Sequence, residues 1–453
     1  MNKPAKRIFL CLAHMSEEGV EQKYIKKAFD DNYVVPLGPN VNQFEQELEA
    51  FVNEAPDQVL NQVQDDVVRG DVKLARNDVK WVRGDGGLKK RVVALSCGTA
   101  AVHLALINCG VQAGDEVLVQ SFTFCASSHP ITYLGAKPVF VGSEKDSWNM
   151  DPELLEKAII DRKAVTGKYP KAIVPVALYG MPYDCSRIMA IADKYDIPVV
   201  EDAAEGFGSK FNGQVLGTFG KYGVLSFNGN KMITTSGGGA LITGSDDEWR
   251  EVMMYATQYR ESYPYYQHEK IGYNYRMSNI CAGIGIGQMT VADAHIAHHR
   301  HIASLYEKAF AAIPGIEFHK GPDWAAEGSN YWLNTITIDP SVHVVGQEDA
   351  YAAIVTGAVG GAAGVIHAAS SVHTDCEPNA NVEAMRVYLD KAGIEARPLW
   401  KPMHKQPVYA GAPVYTNDVE VELFKVGMCL PSGPCVTDED VAYIIESIKE
   451  AIK

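Results

Sequence analysis

The sequence predicts an α/β protein with a large domain on a mostly parallel central sheet and a small C-terminal α+β domain. Three observations lead there. From about 93 to 245, short β-branched runs alternate with helical stretches, the pattern of parallel strands covered by helices on both faces. After about 290 the texture changes to a long helix rich in His and Ala, followed by mixed extended and helical segments. The length of 453 residues with 47% hydrophobic side chains exceeds the roughly 100–200 residues of one domain and excludes disordered, collagenous and small disulfide-scaffold chains.

Taken in order, residues 15–54 carry a helical pattern around 17–30, a turn at Pro36-Leu-Gly-Pro39 and a second helix near 41–51. The strand runs are 92–95, 116–121, 137–141, 172–177, 198–201, 223–227 and 240–243. Helical periodicity covers 100–109, 151–161 and 186–195, and Asp196 with Pro198 stops the last of these. Extended segments follow near 331–338 and a helix near 382–392. The final helix opens at Thr437, a capping residue whose Asp-Glu-Asp successors suit the positive end of a helix dipole. These patterns divide the chain into an N-terminal arm and large domain over 1–290 and a small domain over 291–453. Two stretches read as surface insertions: the polar 55–91 and the Gly-, Ala- and Ser-rich 343–381, of which 353–369 suits an apolar helix. No internal repeat is visible.

Acidic residues outnumber basic ones by 56 to 41, for a net charge of -15. That balance opposes attraction to a polyphosphate duplex, so no nucleic-acid partner is expected. The apolar run at 8–13 is ended by His14 and Ser16-Glu-Glu18 before a signal-peptide core is complete. No apolar stretch reaches the ~18 residues of a membrane span, so no membrane partner is expected either. Nine cysteines, scattered and without a C-x-x-C pair, predict reduced thiols in a cytoplasmic protein and no metal site.

Three segments carry chemistry. Leu95-Ser-Cys-Gly98-Thr99-Ala-Ala is a strand end, a turn and a helix start. Free N–H groups beside a hydroxyl and a Gly make an anion site there, while a plain connection with Thr99 as N-cap explains the segment equally. In Ile197-Pro-Val-Val-Glu201-Asp202-Ala-Ala-Glu205, apolar strand residues run into two carboxylates. At the carboxyl end of a parallel strand these face the ligand crevice, where they suit a protonated ring nitrogen or a metal. Asp202 with Glu205 is also a capping box in outline. In Ser226-Phe-Asn-Gly-Asn-Lys231-Met-Ile-Thr-Thr-Ser-Gly237-Gly-Gly239, a single Lys sits among apolar and hydroxyl residues with no other charge from 222 to 245. Burial depresses a lysine pKa and makes the amine nucleophilic, though most lysines are simply exposed.

Together these segments resemble the DegT/DnrJ/EryC1/StrS sugar aminotransferases, pyridoxal-phosphate enzymes of the aspartate aminotransferase fold (fold type I). Gly272-Tyr-Asn-Tyr-Arg-Met-Ser-Asn279 and Arg397-Pro-Leu-Trp-Lys-Pro-Met-His404 agree with that family, and the resemblance runs from Pro36 to Gly433. The wording of the segments at 226–239 and 397–404 is similar to enzymes acting on UDP-linked 4-keto-6-deoxy-N-acetyl sugars of the bacillosamine type.

The resemblance implies pyridoxal 5'-phosphate as cofactor, held through the Lys231 amine, which also moves the proton. It implies Asp202 on the ring nitrogen, Phe124 on the ring face, and Gly98, Thr99 and Ser226 on the phosphate. Glu205 matches a position that contacts the ring oxygen, where Gln or His is more familiar. Asn274 lies in a segment that reaches into the partner subunit's site, implying a homodimer with shared active sites. Arg397, Trp400, Lys401 and His404 would line a cleft for a nucleotide sugar and L-glutamate, His404 being equally readable as a structural histidine. Sugar dehydratases of the family carry His at the lysine position. A cofactor-sensing module would lose Lys231 or Asp202, and a nicotinamide dehydrogenase would need G-x-G-x-x-G after the first strand, which Ser96-Cys-Gly-Thr-Ala-Ala lacks.

Overall fold

The structure, a computed structural model, describes residues 6–53, 89–351 and 376–452. Most of both expected insertions, and the helix expected at 353–369, lie outside the described residues.

Residues from seven of the early runs and one late segment build a single sheet. Its order is Arg91–Leu95, Gly239–Thr243, Tyr222–Ser226, Val200–Asp202, Ala172–Val174, Glu116–Gln120, Lys137–Val141 and Val414–Tyr415. The middle join is made by the bridges Ile173–Val199 and Val176–Asp202 and by the hydrogen bond from Asp202 N to Pro175 O, 2.9 Å. Every pairing is parallel except those of Gly239–Thr243, which runs against both neighbours. Side chains alternate between two buried faces: Val92, Ala94 and Leu118 enter one core, Val93, Leu95, Val117 and Val119 the other. This is why the strands read as continuous apolar runs.

The strand expected at 198–201 is displaced to Val200–Asp202. Pro198 has no N–H to give a ladder, so regular pairing starts after it. The helix Pro152–Thr166 is capped by the Asp151 side chain and ends at Gly167 with φ +76°. The helix Asp438–Ala451 closes a capping box between Thr437 and Asp440.

A second, fully antiparallel sheet pairs Ile316–Phe318, Asn334–Ile338, Gly427–Leu430 and Arg397–Pro398 in that order. Its core contains Ile336 and Met428 with Tyr306 from the helix Ala292–Phe310, Met385 from Ala380–Lys391 and Ile444 from Asp438–Ala451. Ile8 joins this core and bridges to Ile394. Among the described residues no single helix is long and apolar enough to cross a membrane. None of their His, Cys, Asp and Glu side chains gather in threes as a metal site.

Parallel topology has one consequence for chemistry. Leu95, Gln120, Val174, Asp202 and Ser226 all end strands at the same edge, and the antiparallel strand begins there at Gly239, opposite both Leu95 and Ser226.

Candidate active site

A cavity of about 290 Å3 opens at that edge. It is lined by residues at or just beyond the ends of strands of this sheet, among them Gly98, Thr99, Phe124, Ser127, Asp202, Glu205, Ser226 and Lys231, together with Trp332 and Trp400.

One part of the lining is an anion cradle. The helix Gly98–Asn108 starts there, and its cap is Cys97, whose Sγ accepts from Ala100 N at 3.4 Å. This corrects the expectation of Thr99 as N-cap: Cys97 holds the extended backbone of the cap position and Thr99 falls inside the first turn. The first-turn N–H groups of Gly98 and Thr99 have no intrahelical acceptors, and the helix dipole favours negative charge beside them. Glycines bring this helix end close to the next strands. A Cβ on Gly98 would stand 3.1 Å from Ser226 Cβ, and one on Gly239 would stand 2.4 Å from the Cys97 carbonyl carbon and Gly98 N. Gly237, by contrast, faces open space.

The paired carboxylates at 201 and 202 separate as strand neighbours must. Asp202 lines the cavity. Glu201 is buried elsewhere, accepting from Gly220 N at 2.6 Å and Gly217 N at 3.0 Å. No helix follows Asp202, so the capping-box reading of Asp202 and Glu205 is not realised. Asp202 Oδ2 instead accepts from Ser127 Oγ at 2.6 Å and Oδ1 from Ala204 N at 3.1 Å. Burial pushes its pKa up, and the Ser127 hydroxyl, Ala204 N–H and Lys231 pull against that.

Lys231 is 13% exposed, with Nζ 3.7 Å from Glu205 Oε1 and 4.0 Å from the centre of the Trp332 ring. Glu205 is fully enclosed, and burial raises its pKa against the attraction of Lys231. Its other oxygen accepts from Tyr179 N at 2.7 Å. Tyr179 has φ +55°, uncommon for a bulky residue, and its hydroxyl accepts from Trp400 N at 2.8 Å. Phe124 is exposed at the cavity, its ring centre 6.1 Å from that of Trp400.

Of the four residues expected to line the substrate cleft, Trp400 lines the cavity and the other three do not. Arg397 donates to Glu395 at 2.9 Å, and Lys401 lies 3.5 Å from Glu377. The His404 side chain is enclosed, with Nδ1 2.7 Å from Ser121 Oγ and 3.7 Å from Glu420 Oε1. Asn274 is exposed, bridged to Thr257 and outside this cavity.

Residues 86–361 and 348–449 match the DegT/DnrJ/EryC1/StrS aminotransferase family. The chain belongs to that family. It is 39% identical over 445 residues to EpsN of Bacillus subtilis (strain 168), a candidate pyridoxal phosphate-dependent aminotransferase, covering 97% of this chain and 95% of that protein. It is 34% identical over 356 residues to the GDP-perosamine synthase of Escherichia coli O157:H7, covering 79% and 84%. A DegT DnrJ EryC1 StrS aminotransferase from Brucella abortus has the same fold, with a TM-score of 0.74 at 23% identity and 96% of both chains covered.

The enzyme is thus a pyridoxal-phosphate-dependent sugar aminotransferase of fold type I. The donor set fits its cofactor. The cavity offers an amine for the carbonyl group, a carboxylate for the ring nitrogen, an aromatic ring for the ring face, and amides with a hydroxyl for the phosphate. Ser127, Tyr179 and Trp332 escaped the sequence reading. Ser127 was within reach, since it follows Phe124 by three residues. Nothing local announces Tyr179 or Trp332, because their partners Glu205 and Lys231 come from loops distant in sequence.

Proposed function

We propose that the enzyme, as a homodimer with shared active sites, moves the amino group of L-glutamate to the C4 ketone of a UDP-linked 4-keto-6-deoxy-N-acetyl sugar. The observation that carries the chemistry is one cavity holding Lys231, Asp202 and the cradle at Gly98.

Bound there, the cofactor serves as an electron sink and carries nitrogen between the two substrates. Lys231 Nζ would hold it covalently, and the same amine would serve as acid and base at the substrate carbon. Asp202 keeps the ring nitrogen protonated by offering it a buried negative charge. Gly98 and Thr99 amides with the Ser226 hydroxyl hold the phosphate. Phe124 would pack on the ring, and Glu205, beside Lys231, would contact the ring oxygen. Asn274, exposed on its own chain, completes the partner's site.

The carrier assignment has a different support. The segments at 226–239 and 397–404 resemble those of UDP-sugar enzymes, and Trp400 with Phe124 presents aromatic faces that suit a sugar or a base. Arg397 and Lys401 would exchange Glu395 and Glu377 for substrate anions. The similarity to a GDP-perosamine synthase favours a GDP-linked keto sugar as the second reading.

A panel of UDP-, GDP- and dTDP-linked 4-keto sugars with L-glutamate, followed by 2-oxoglutarate release, tests the assignment. The UDP compound should give the highest kcat/KM. A tenfold preference for another carrier, about 1.4 kcal/mol in the transition state, would overturn the UDP reading and leave amino transfer standing.

A further inference from the structure

Asp202 depends on a hydroxyl chain that its own strand does not supply. Ser127, 1% exposed, donates through Oγ to Asp202 Oδ2 at 2.6 Å, and the same Oγ lies 2.8 Å from Thr123 Oγ1. An ionised carboxylate only accepts, and a serine has one hydroxyl proton. With that proton committed to Asp202, Thr123 must donate to Ser127. With Asp202 ionised, the chain runs from Thr123 to Ser127 to Asp202. Bonds aligned this way polarise and strengthen one another in a buried setting.

The same turn sets a second feature of the site. Ser127 closes the single turn Cys125–Ser127 that follows Phe124, and its N–H donates to Phe124 O at 3.3 Å. Thr123 N donates to Ser121 O at 3.1 Å, and Ser121 Oγ meets His404 Nδ1 at 2.7 Å. The hydroxyls holding Asp202 and the ring of Phe124 thus share one short segment, anchored to the 397–404 region.

We propose that Ser127, oriented by Thr123, is a positioning residue that aims the Asp202 carboxylate at the cofactor's ring nitrogen. This rests on the assignment of Asp202 to that nitrogen made above. Burial raises the Asp202 pKa, and the Ser127 hydroxyl is the leading influence against it. The other titratable groups acting on Asp202 are Lys231 and Glu205.

The test compares Ser127→Ala, Ser127→Thr, Thr123→Val and Asp202→Asn. It reads pyridoxal-phosphate affinity by absorbance titration, and the pH at which the bound cofactor's visible band changes. Ser127→Ala should weaken affinity roughly tenfold, the effect of losing a hydrogen bond to a charged group, and move the pH of the spectral change. Ser127→Thr, which keeps the hydroxyl, should restore both to within about twofold, and Thr123→Val should fall between. Circular dichroism melting of each apo variant separates a folding defect from a local one. A folded Ser127→Ala with the parent's affinity and pH profile, beside an impaired Asp202→Asn, would overturn the relay alone. An Asp202→Asn variant indistinguishable from the parent would overturn the Asp202 assignment instead.

Discussion

Lys231 Nζ lies 3.7 Å from Glu205 Oε1, a contact made between residues on opposite sides of the strand Tyr222–Ser226 in the sequence. The carboxylate is itself pinned by Tyr179 N, so the amine has a fixed companion rather than a mobile counterion. Removing either group leaves the other enclosed without its partner, an arrangement that costs more than the pair contributes.

The enzyme should purify yellow or turn yellow on addition of pyridoxal phosphate. Borohydride reduction and peptide mapping should place the label on Lys231, and a label on another lysine would refute the assignment. Lys231→Ala should still bind cofactor non-covalently while losing turnover by at least about 10²–10⁴-fold, the scale of proton-transfer catalysis.

Glu201 yields a stability prediction. Burial, opposed by the Gly220 and Gly217 N–H groups, leaves its folded pKa above the ordinary carboxylate value. The folded chain therefore binds more protons than the unfolded chain in the window above the unfolded pKa of about 4.5. This group's contribution becomes less favourable as pH rises through that window. Glu201→Gln removes the titration, so its denaturation midpoint relative to the parent should be higher at pH 8 than at pH 5. A pH-independent difference would contradict the argument.

Gly239 and Gly237 differ although they share one triplet. Gly239→Ala would force a Cβ to within 2.4 Å of Cys97 and Gly98 backbone atoms, whereas Gly237→Ala meets nothing within 4 Å. The first should destabilise the fold by about 1–3 kcal/mol, the range for overpacking, and weaken cofactor binding by displacing the helix start. The second should leave the melting temperature nearly unchanged. Equal effects in thermal melts would show that the close approach at Gly239 is not a constraint.

Shared sites can be tested by subunit mixing. Lys231→Ala and Asn274→Asp homodimers should both be impaired. In the hybrid the two defects fall in one site and leave the other intact, so activity should return. No return after subunit exchange verified by mass spectrometry would count against Asn274 serving the partner.

The sheet, its parallel character and most helix positions were legible along the chain, because apolar periodicity and capping chemistry are local properties. Lys231, Asp202, Gly98 and Ser226 were legible for a related reason. Each sits at a strand end or turn, and parallel topology brings all such ends to one edge. The family's motif order carried their combination.

Tertiary structure alone decided which neighbours those residues meet. That Asp202 faces the cavity while Glu201 turns to Gly217 and Gly220 follows from the strand's rotation within the sheet. Arg397, Lys401 and His404 share one short basic stretch, yet Glu395, Glu377 and the Ser121–Glu420 pair engage them away from the cavity. Tyr179 and Trp332 reach Glu205 and Lys231 from distant segments. Local sequence sets where a side chain departs from the backbone, but its partner is set by which distant segment the packed core places opposite, a property of the whole chain's burial rather than of any spacing within it.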